Sequence, residues 1–366
     1  MDRRDFLLVS GATAASIAVP AGPARASAGT PPATTSAPGW RVFELTTRVE
    51  VVRPSGVTRI WLPTPLTRDV PYQRTLGNAW VAEGGTAGQW IDPVYGAGAV
   101  WAEFPDGVRP VLELSSRFAV RDAAVDPSRP EGFPPESTAV LARFTSASRL
   151  LPTDGVVKET SASIVKGCRT DLEKARAIYE WVVENAYRDP KTRGCGVGDV
   201  RYMLEHRTLG GKCADLNGLF VALARAEGIA ARDLYGIRVA PSALGYASLG
   251  KPLGDVTKAQ HCRAEFYLRG HGWIPADPAD VRKVILEEGG GKAPDDPAVL
   301  AARRRLFGSW EMNWVAFNYA HDLALPGSTR GEVAFLMYPQ AETAEERLDC
   351  LDPDNFRYAI HSRELT

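Results

Sequence analysis

The chain has 366 residues, a length that allows two domains and a third small piece. Hydrophobic residues make up 45% of the sequence and charged residues 24%, a composition typical of a folded soluble protein. The formal net charge of −1 excludes the basic field of a nucleic-acid-binding protein, so nucleic acid is not an expected partner. After the leader described next, no apolar stretch reaches the length of a membrane span.

Residues 1–28 have the pattern of an export signal. Two arginines precede an apolar segment that reaches Pro20, and small-x-small cleavage sites follow at 24–26 and 26–28. The order Arg-Arg-Asp-Phe-Leu resembles the twin-arginine type of signal, which exports folded proteins. We therefore expect a periplasmic or secreted protein with no membrane span after the signal is removed. The alternative is a cytosolic protein with an apolar leader.

Residues 39–125 are predicted to form a β-sandwich-like domain, after a low-complexity linker at 29–38. Four segments rich in β-branched residues, separated by glycine and proline turns, are the predicted strands: 42–52, 57–63, 99–104 and 111–120. The domain has no cluster of His, Cys or paired carboxylates, so we interpret it as a scaffold or as a domain that shapes the substrate site. A proline-rich connector at 126–135 marks its boundary.

Helical patterns begin after the connector, in the segment predicted as the catalytic core, 136–295. A first candidate helix spans 137–151, and Thr170 with Glu173 forms a capping box at the start of a stronger one. The loop at 192–200 has glycines at alternate positions, but no strand precedes it and no Lys-Ser/Thr follows, so it matches a phosphate loop poorly. We interpret it as a tight loop beside a substrate cleft.

A double glycine precedes Cys213, and the cysteine opens a helical run. Apolar residues recur at three- and four-residue intervals from Leu216 to Ala224, and Gly228 stands where the helix should end. Cys213 is therefore expected at a helix N-terminus. Free N–H groups and the helix dipole favour a thiolate there, and the thiolate is the nucleophilic form of cysteine.

A strand at 231–239 and a long loop at 240–260, which is a candidate cleft wall, lead into a predicted hairpin. His261 starts the first strand of the hairpin and Asp277 ends the second. Cysteine catalysis needs a base within reach of the sulfur and a third group that orients the base. The sequence thus predicts a triad of Cys213, His261 and Asp277, although the strand register that would bring the last two together is not derivable.

Each site residue also has an alternative. A buried packing thiol is the alternative for Cys213, and His271 in the hairpin turn is a rival base, although turn tips are exposed and poorly held. Asp280 lies close to Asp277 in sequence. Simple pairing leaves His261 and Asp277 offset, so a bulge is one means of bringing them together.

Four further cysteines accompany Cys213: Cys168, Cys195, Cys262 and Cys350. In an oxidising compartment they can form up to two disulfides in three pairings, which leaves Cys213 as the free thiol. Buried, unpaired thiols are the alternative. No Cys-x-x-Cys pair occurs, so no structural zinc is expected, and no other metal or cofactor is predicted.

The motifs around the three site residues resemble the transglutaminase-like family. Residues 211–232 contain its Gly-x-Cys motif and a helix that ends Leu-x-Arg-x-x-Gly-Ile-x-Ala-Arg, with Ala230 where the family usually has proline. The run His261-x-x-x-Glu-x-Tyr-Leu, Gly-Trp at 272–273 and Asp-Pro at 277–278 are similar to the histidine and aspartate strands of the family. The resemblance extends over less than half of the chain.

This resemblance implies an α+β fold: a papain- or transglutaminase-like core, in which the helix bearing Cys213 packs on an antiparallel sheet, preceded by the β-sandwich-like domain. It implies a Cys213–His261–Asp277 triad that acts through a thioester, in an amide or peptide hydrolase or a transglutaminase. Folded export and the lack of a calcium-type acidic loop favour a hydrolase of peptide or protein substrates, including cell-wall peptides. The alternatives are a non-catalytic peptide- or glycan-binding module and an arylamine-type acetyltransferase on a related core.

Residues 296–366 are predicted to be an aromatic-rich extension that packs on the core. Its aromatic residues, among them Trp310, Trp314 and Phe317, are interpreted as core packing rather than as a carbohydrate or peptide platform. Four polar residues between them are weaker candidates to reach the cleft: Asn313, Asn318, His321 and Asp322. Candidate partners of the Cys213 N–H in an oxyanion hole are Trp181, Asn185 and Asn217.

Overall fold

The computed structural model describes residues 39–130 and 132–365. The predicted signal at 1–28 and the predicted linker at 29–38 lie outside the described residues. A search of the described part finds no helix both long enough and apolar enough to cross a membrane.

Strands fill the first quarter of the described chain. They are β1 (Arg41–Val51), β2 (Thr58–Pro63), β3 (Gln73–Val81), β4 (Thr86–Ile91), β5 (Gly98–Phe104), β6 (Val111–Val120) and β7 (Ala123–Ala124). The four predicted strands correspond to β1, β2, β5 and β6. Strands β3 and β4 were not predicted, because most of their side chains are exposed or half-buried and the sequence lacks an apolar alternation there.

The middle of the chain alternates helices and strands. They are α1 (Thr138–Thr145), α2 (Gly155–Ile164), α3 (Asp171–Asn185), β8 (Tyr187–Arg188), α4 (Val200–Glu205), β9 (Gly210–Gly211), α5 (Cys213–Ala226), β10 (Ala231–Arg238), β11 (Gly254–Asp255), β12 (Gln260–Leu268), β13 (Gly272–Ala276), α6 (Pro278–Glu287) and α7 (Pro297–Arg305). The capping box of Thr170 and Glu173 begins α3 as predicted. Helix α1 ends well before residue 151, because Ser146 adopts an extended conformation.

The last part of the chain supplies four strands: β14 (Ser309–Trp310), β15 (Trp314–Asn318), β16 (Gln340–Glu342) and β17 (Phe356–Leu365). Strand β15 joins the sheet of the core, whereas β16 and β17 join sheets built from the N-terminal strands. The segment predicted as an extension on the core therefore also contributes to the N-terminal β layer. The domain boundaries themselves stay a prediction.

Two antiparallel sheets form the predicted N-terminal β domain. Their strand orders are β11-β17-β1-β6-β3 and β16-β2-β5-β4. Apolar side chains from both sheets, including Val49, Ile60, Val100 and Leu112, are buried in one cluster between them. Two sheets with a shared apolar interior confirm the expected sandwich-like arrangement.

The core is a four-stranded antiparallel sheet, β13-β12-β10-β15, with α5 on one face. All fourteen residues of α5 are buried, and Phe220 contacts Phe266 of β12 with ring centroids 6.1 Å apart. Burial of each large apolar side chain contributes about 1.5–3 kcal/mol, so this contact fixes the helix firmly on the sheet. The predicted core, a cysteine-bearing helix on an antiparallel sheet, is confirmed.

The opposite face of the core sheet packs against the five-stranded sheet of the β domain. Leu234 and Ile237 of β10 share an apolar cluster with Phe43 of β1 and Phe118 of β6. Trp314 is fully buried in the same cluster, as is Trp310. The interpretation as core packing is therefore confirmed for Trp310, Trp314 and Phe317, which are all buried in this cluster.

The long loop at 240–260 is attached to the β domain. Its strand β11 pairs with β17, and Val256 N–H donates to Ile360 O at 2.8 Å. Ser362 Oγ in turn donates to Val239 O at 2.8 Å. A segment that is long for a connection is thus held at both ends by the C-terminal strand.

Candidate active site

Cys213 is the first residue of α5, as predicted. Its side chain is only 3% exposed, and it lines a cleft of about 680 Å³ together with Cys195 and His261. At this position the free N–H groups of the first helical turn and the positive end of the helix dipole stabilise negative charge on the sulfur.

Asp215 ties the glycine-rich loop to the start of α5. Its Oδ1 accepts hydrogen bonds from Val197 N–H at 3.1 Å and Gly198 N–H at 2.8 Å, and its Oδ2 accepts one from Lys212 N–H at 2.9 Å. The loop carries Cys195, whose carbonyl oxygen accepts a hydrogen bond from Ala214 N–H at 2.9 Å. One carboxylate therefore fixes both sides of the cleft at the cysteine.

Two glycines allow this close approach. Gly196 has φ of +93°, and a Cβ atom on it would lie 1.7 Å from Asp215 Oδ2. A Cβ on Gly211 would lie 2.4 Å from the same oxygen. The double glycine before Cys213 thus has a steric cause at both positions, since a Cβ on Gly211 would collide with this carboxylate and a Cβ on Gly210 would lie 2.3 Å from Cζ of the Tyr187 ring.

His261 is held in one orientation on β12. Its Nε2 is 2.8 Å from Asp277 Oδ2, and its backbone oxygen accepts a hydrogen bond from Trp314 Nε1 at 2.8 Å. With Nε2–H donating to the carboxylate, Nδ1 is the nitrogen that remains free to accept a proton. The hydrogen bonds of the described residues do not include one between His261 and Cys213, although the two side chains line the same cleft. Such bonds often tighten only when a substrate is bound.

Asp277 is both the end of the hairpin and the N-cap of α6. Its Oδ1 accepts hydrogen bonds from Asp280 N–H at 3.0 Å and from Asn217 Nδ2 at 3.2 Å. Pairing of β12 with β13 runs without a bulge as far as Ala264 opposite Ala276. Asp277 would lie next, diagonal to His261 on the same face, and diagonal neighbours remain within side-chain reach. His261 and Asp277 are therefore offset along the strands as expected, and their side chains meet across the diagonal without a bulge.

Three charged residues surround this pair: Asp280, which the sequence analysis noted beside Asp277, and Arg238 and Arg263, which were not predicted from the sequence. Asp280 Oδ1 lies 3.4 Å from His261 Nε2, and both Asp280 oxygens accept hydrogen bonds from Arg238 Nη2. Arg263 Nε lies 3.7 Å from Asp277 Oδ2. All three are buried, so the His–Asp pair sits in a compact group of paired charges.

The pKa values of Cys213 and His261 are shifted in opposite directions. Burial opposes ionisation of Cys213, but its contacts with Cys195, Cys262 and His261 hold its pKa well below the ordinary value. Burial also opposes a charged His261, yet attraction to Asp280 and Asp277 raises its pKa. A low thiol pKa and a high imidazole pKa favour a thiolate beside an imidazolium.

The neighbouring thiols behave differently. The contact with Cys213 and, to a smaller extent, burial raise the pKa of Cys195. For Cys262 the order is reversed: burial is the larger cause of its raised pKa, and the contact with Cys213 is the smaller one. Among the three cysteines in contact, Cys213 is therefore the one that ionises first. All five cysteines are free thiols, so the disulfides considered from the sequence are not formed.

His261, Asp277 and Asp280 also form the one cluster of potential metal ligands found among the described residues, with ligand atoms within 4.8 Å of one another. Arg238 already binds both oxygens of Asp280, and Arg263 lies beside Asp277. A bound cation would have to compete with two guanidinium groups. The cluster therefore suits proton transfer better than metal binding.

Several residues considered from the sequence lie elsewhere. His271 lines a separate groove of about 1060 Å³ between the β domain and the core. The Nδ2 of Asn217 donates hydrogen bonds to Asp277 Oδ1 and Cys262 O. The Nδ2 of Asn185 donates to Trp181 O on the surface of α3. Four further residues do not line the cleft around Cys213: Asn313, Asn318, His321 and Asp322.

Comparisons with known proteins identify the family that this chain resembles. The model of the transglutaminase-like superfamily matches residues 158–278, which include all three predicted site residues. An uncharacterized protein of Haemophilus influenzae is 35% identical over 349 residues, which cover 88% of this chain and 92% of that protein. The chain therefore shares nearly its whole length with this relative.

Solved structures extend the comparison to the fold. The crystal structure of a candidate cysteine protease from Cytophaga hutchinsonii aligns with a TM-score of 0.50 at 15% identity, over 88% of this chain and 98% of that chain. At this identity the match shows a shared fold. The periplasmic domain of TgpA from Pseudomonas aeruginosa aligns over 67% of this chain and 91% of that chain at 15% identity, with a TM-score of 0.33, which is too low to add to the assignment.

Proposed function

Because this chain belongs to the transglutaminase-like superfamily, we propose that it is a cysteine-dependent acyl-transfer enzyme with Cys213 as nucleophile, His261 as base and Asp277 as orienting group. The observation that carries the proposal is the 2.8 Å contact of His261 Nε2 with Asp277 Oδ2, beside a cleft-lining thiol of lowered pKa. These are the three roles that cysteine catalysis requires.

The proposed reaction begins when the Cys213 thiolate attacks the carbonyl carbon of an amide and forms a C–S bond. The imidazolium of His261 gives its Nδ1 proton to the departing nitrogen as the C–N bond breaks, which releases an amine and leaves a thioester. Water then gives a proton to His261 and attacks the thioester, which releases a carboxylic acid and restores the thiolate. We assign the Cys213 N–H, at the start of α5, as one donor to the oxyanion.

Hydrolysis is the outcome that we favour over transfer to a second amine. Proposed export in a folded state would place the enzyme among cell-wall and secreted peptides, which are candidate substrates. The alternative is a non-catalytic module that binds a peptide or glycan in the same cleft. Such a module does not need an activated thiol, and a thiol pKa of ~8.5 is expected for its cysteine. The lowered pKa of Cys213 supports the enzyme.

Labelling with iodoacetamide at neutral pH tests the nucleophile. We expect one rapidly labelled residue, Cys213, identified by peptide mass mapping of the folded protein. Cys213→Ser should abolish the fast reaction, whereas Cys168→Ser, a partly exposed cysteine outside the cleft, should leave it unchanged. If another cysteine takes the label and Cys213 stays inert in the folded protein, the proposed triad is wrong.

We also propose that residues 1–28 direct the protein to the periplasm or outside the cell. The supporting observation is the order of arginine pair, apolar segment and small-residue cleavage sites in the sequence. Expression of the full chain followed by N-terminal sequencing of the periplasmic fraction should find a mature protein that begins after residue 26 or 28. An intact N-terminus found in the cytosol contradicts this proposal.

A further inference from the structure

The cleft around Cys213 is lined mainly by positive charge. Among the described residues that line it, seven are Lys or Arg, and Glu287 is the single acidic residue. The chain as a whole carries 43 basic and 44 acidic side chains, with a net charge of −1. The cationic lining is therefore a local feature of this cleft and does not follow from the overall composition.

Part of this charge is already neutralised by acidic side chains. The ion pairs are Arg238–Asp280 at 2.6 Å, Arg193–Asp349 at 2.6 Å, and Glu287 shared between Arg188 and Lys283. In the last group one carboxylate meets two cations, which leaves one positive charge in excess. These residues hold the walls of the cleft in place and contribute one positive charge to its surplus.

Three lysines make up the rest of the surplus. Within the described part of the chain, no carboxylate lies within 4.0 Å of the amino groups of Lys212, Lys251 or Lys258. Lys212 directly precedes Cys213, whereas Lys251 and Lys258 lie on the long loop that β17 holds against the β domain. Because Lys212 lies on one wall and Lys251 and Lys258 lie on another, a ligand meets cationic groups at more than one place along the cleft.

We propose that the substrate is an acidic peptide, with Asp or Glu side chains on either side of the amide that Cys213 attacks. The inference rests on the proposed function and names its substrate class. A cleft of about 680 Å³ has the size of a small-ligand site, so it admits a short extended segment. Three separate lysines suit a few carboxylates better than the continuous phosphate track of a nucleic acid.

Lys258 is exposed, and Lys212 and Lys251 are half-buried, so all three reach solvent and act on such a ligand mainly by attraction over several ångströms. Pairs of this kind each contribute modestly, and their effect is screened by salt. The expected signature is therefore a preference for acidic peptides that is strong at low ionic strength and weak at high ionic strength. A neutral peptide of the same shape should show little dependence on salt.

Three hexapeptide amides test the inference. Each has a central Gln-Gly, and the flanking residues are Glu in the first peptide, Gln in the second and Lys in the third. Binding is measured by calorimetry on the full-length Cys213→Ala protein, and turnover is measured by mass spectrometry on the wild type. We expect the Glu peptide to bind roughly tenfold tighter than the Gln peptide at ~0.01 M salt, and the Lys peptide to bind weakest. The preference should shrink at ~0.15 M salt, where the Debye length is about 8 Å.

A pair of matched variants places the effect in the cleft. The double substitution Lys251→Gln and Lys258→Gln should weaken binding of the Glu peptide roughly three- to tenfold and leave the Gln peptide unchanged. The control is Lys166→Gln with Lys174→Gln, which makes the same change in net charge outside the cleft and should alter neither affinity.

The two proposals fail in different ways. Equal affinity for the three peptides, or no binding of the Glu peptide, overturns the acidic-peptide inference and leaves the labelling result for Cys213 intact. A clear preference for the Glu peptide without any cleavage supports the acidic ligand but contradicts the hydrolase. If the control variant weakens binding as much as the cleft variant, overall charge is responsible and the inference is wrong.

Discussion

At the scale of single residues, His261 is the most constrained side chain of the site. Its ring contacts Asp277 at the end of β13 and Asp280 in α6, and its backbone oxygen is bonded to Trp314 of β15. Contacts with three separate elements fix both the position and the proton-bearing nitrogen of the ring. A base held in this way can influence the ionisation of the neighbouring thiol.

The pH dependence of alkylation should report this influence. Because the pKa of Cys213 is lowered and the thiolate is the reactive form, we expect the wild-type rate to stay high at neutral pH and to fall only in acid. His261→Asn removes an attraction that favours the thiolate, so the pKa should rise towards ~8.5 and the rate at pH 7 should fall roughly tenfold or more. The measurement is iodoacetamide labelling between pH 4 and pH 10.

A second buried histidine provides the control for this experiment. His321 is hydrogen-bonded to Asp233 at 2.7 Å and does not line the cleft. The substitution His321→Asn disturbs a similar buried pair, yet the midpoint of the Cys213 profile should not move. An unchanged midpoint in His261→Asn, with the protein still folded by circular dichroism, would show that the imidazole does not activate the thiol.

At the scale of elements, the start of α5 depends on the glycine-rich loop that precedes it. We expect Gly196→Ala to push Asp215 away, because the new Cβ would lie 1.7 Å from its carboxylate at a backbone φ of +93°. The loss of stability should be about 2 kcal/mol or more, and the fast labelling of Cys213 should decline with it. Denaturant unfolding and labelling of the same sample measure both effects.

Gly167 is a matched control for this substitution. It also has φ of +93°, but a Cβ there has no neighbour within 4 Å. Gly167→Ala therefore carries only the conformational cost of about 1–2 kcal/mol and should leave the labelling rate unchanged. Equal losses in the two variants would mean that the contact with Asp215 does not matter.

The elements also explain what the sequence could and could not predict. Cys213 and Asp277 both begin helices, and such positions have local signatures in the form of glycines before the cysteine and proline after the aspartate. Arg238, Arg263 and Asn217 act only through partners that are distant in sequence, so no local pattern marks them. The contact of His261 with Asp277 could be proposed, but its geometry depends on strand register.

At the scale of the whole molecule, strand β17 connects the β domain to the cleft. It pairs with β1 along ten residues and with β11 in the loop that carries Lys251 and Lys258. The core sheet also shares an apolar cluster with the sheet that contains β17. We therefore expect the two parts of the described chain to unfold together.

The substitution Ile360→Ala tests this coupling. Ile360 is buried in the cluster between the two sheets, so its truncation should cost about 2–5 kcal/mol. The midpoint of urea unfolding measured by circular dichroism and the midpoint for loss of fast Cys213 labelling should fall by the same amount. Leu300→Ala changes a partly exposed position of α7 and should lower the free energy of unfolding by no more than roughly 0.5 kcal/mol, so both midpoints should stay nearly unchanged. Two separated midpoints would show that the parts unfold independently.

The pairing of β17 with β1 has a consequence for biosynthesis. Arg41 and Glu364, which form an ion pair across these strands, are 323 residues apart in sequence. During translation the first strand therefore leaves the ribosome long before its partner exists, and its edge on that side stays open until residues 356–365 have been made. The wall of the cleft that depends on β17 can form only then, so a nascent chain contains the cysteine and the histidine before it contains a complete cleft to hold a substrate.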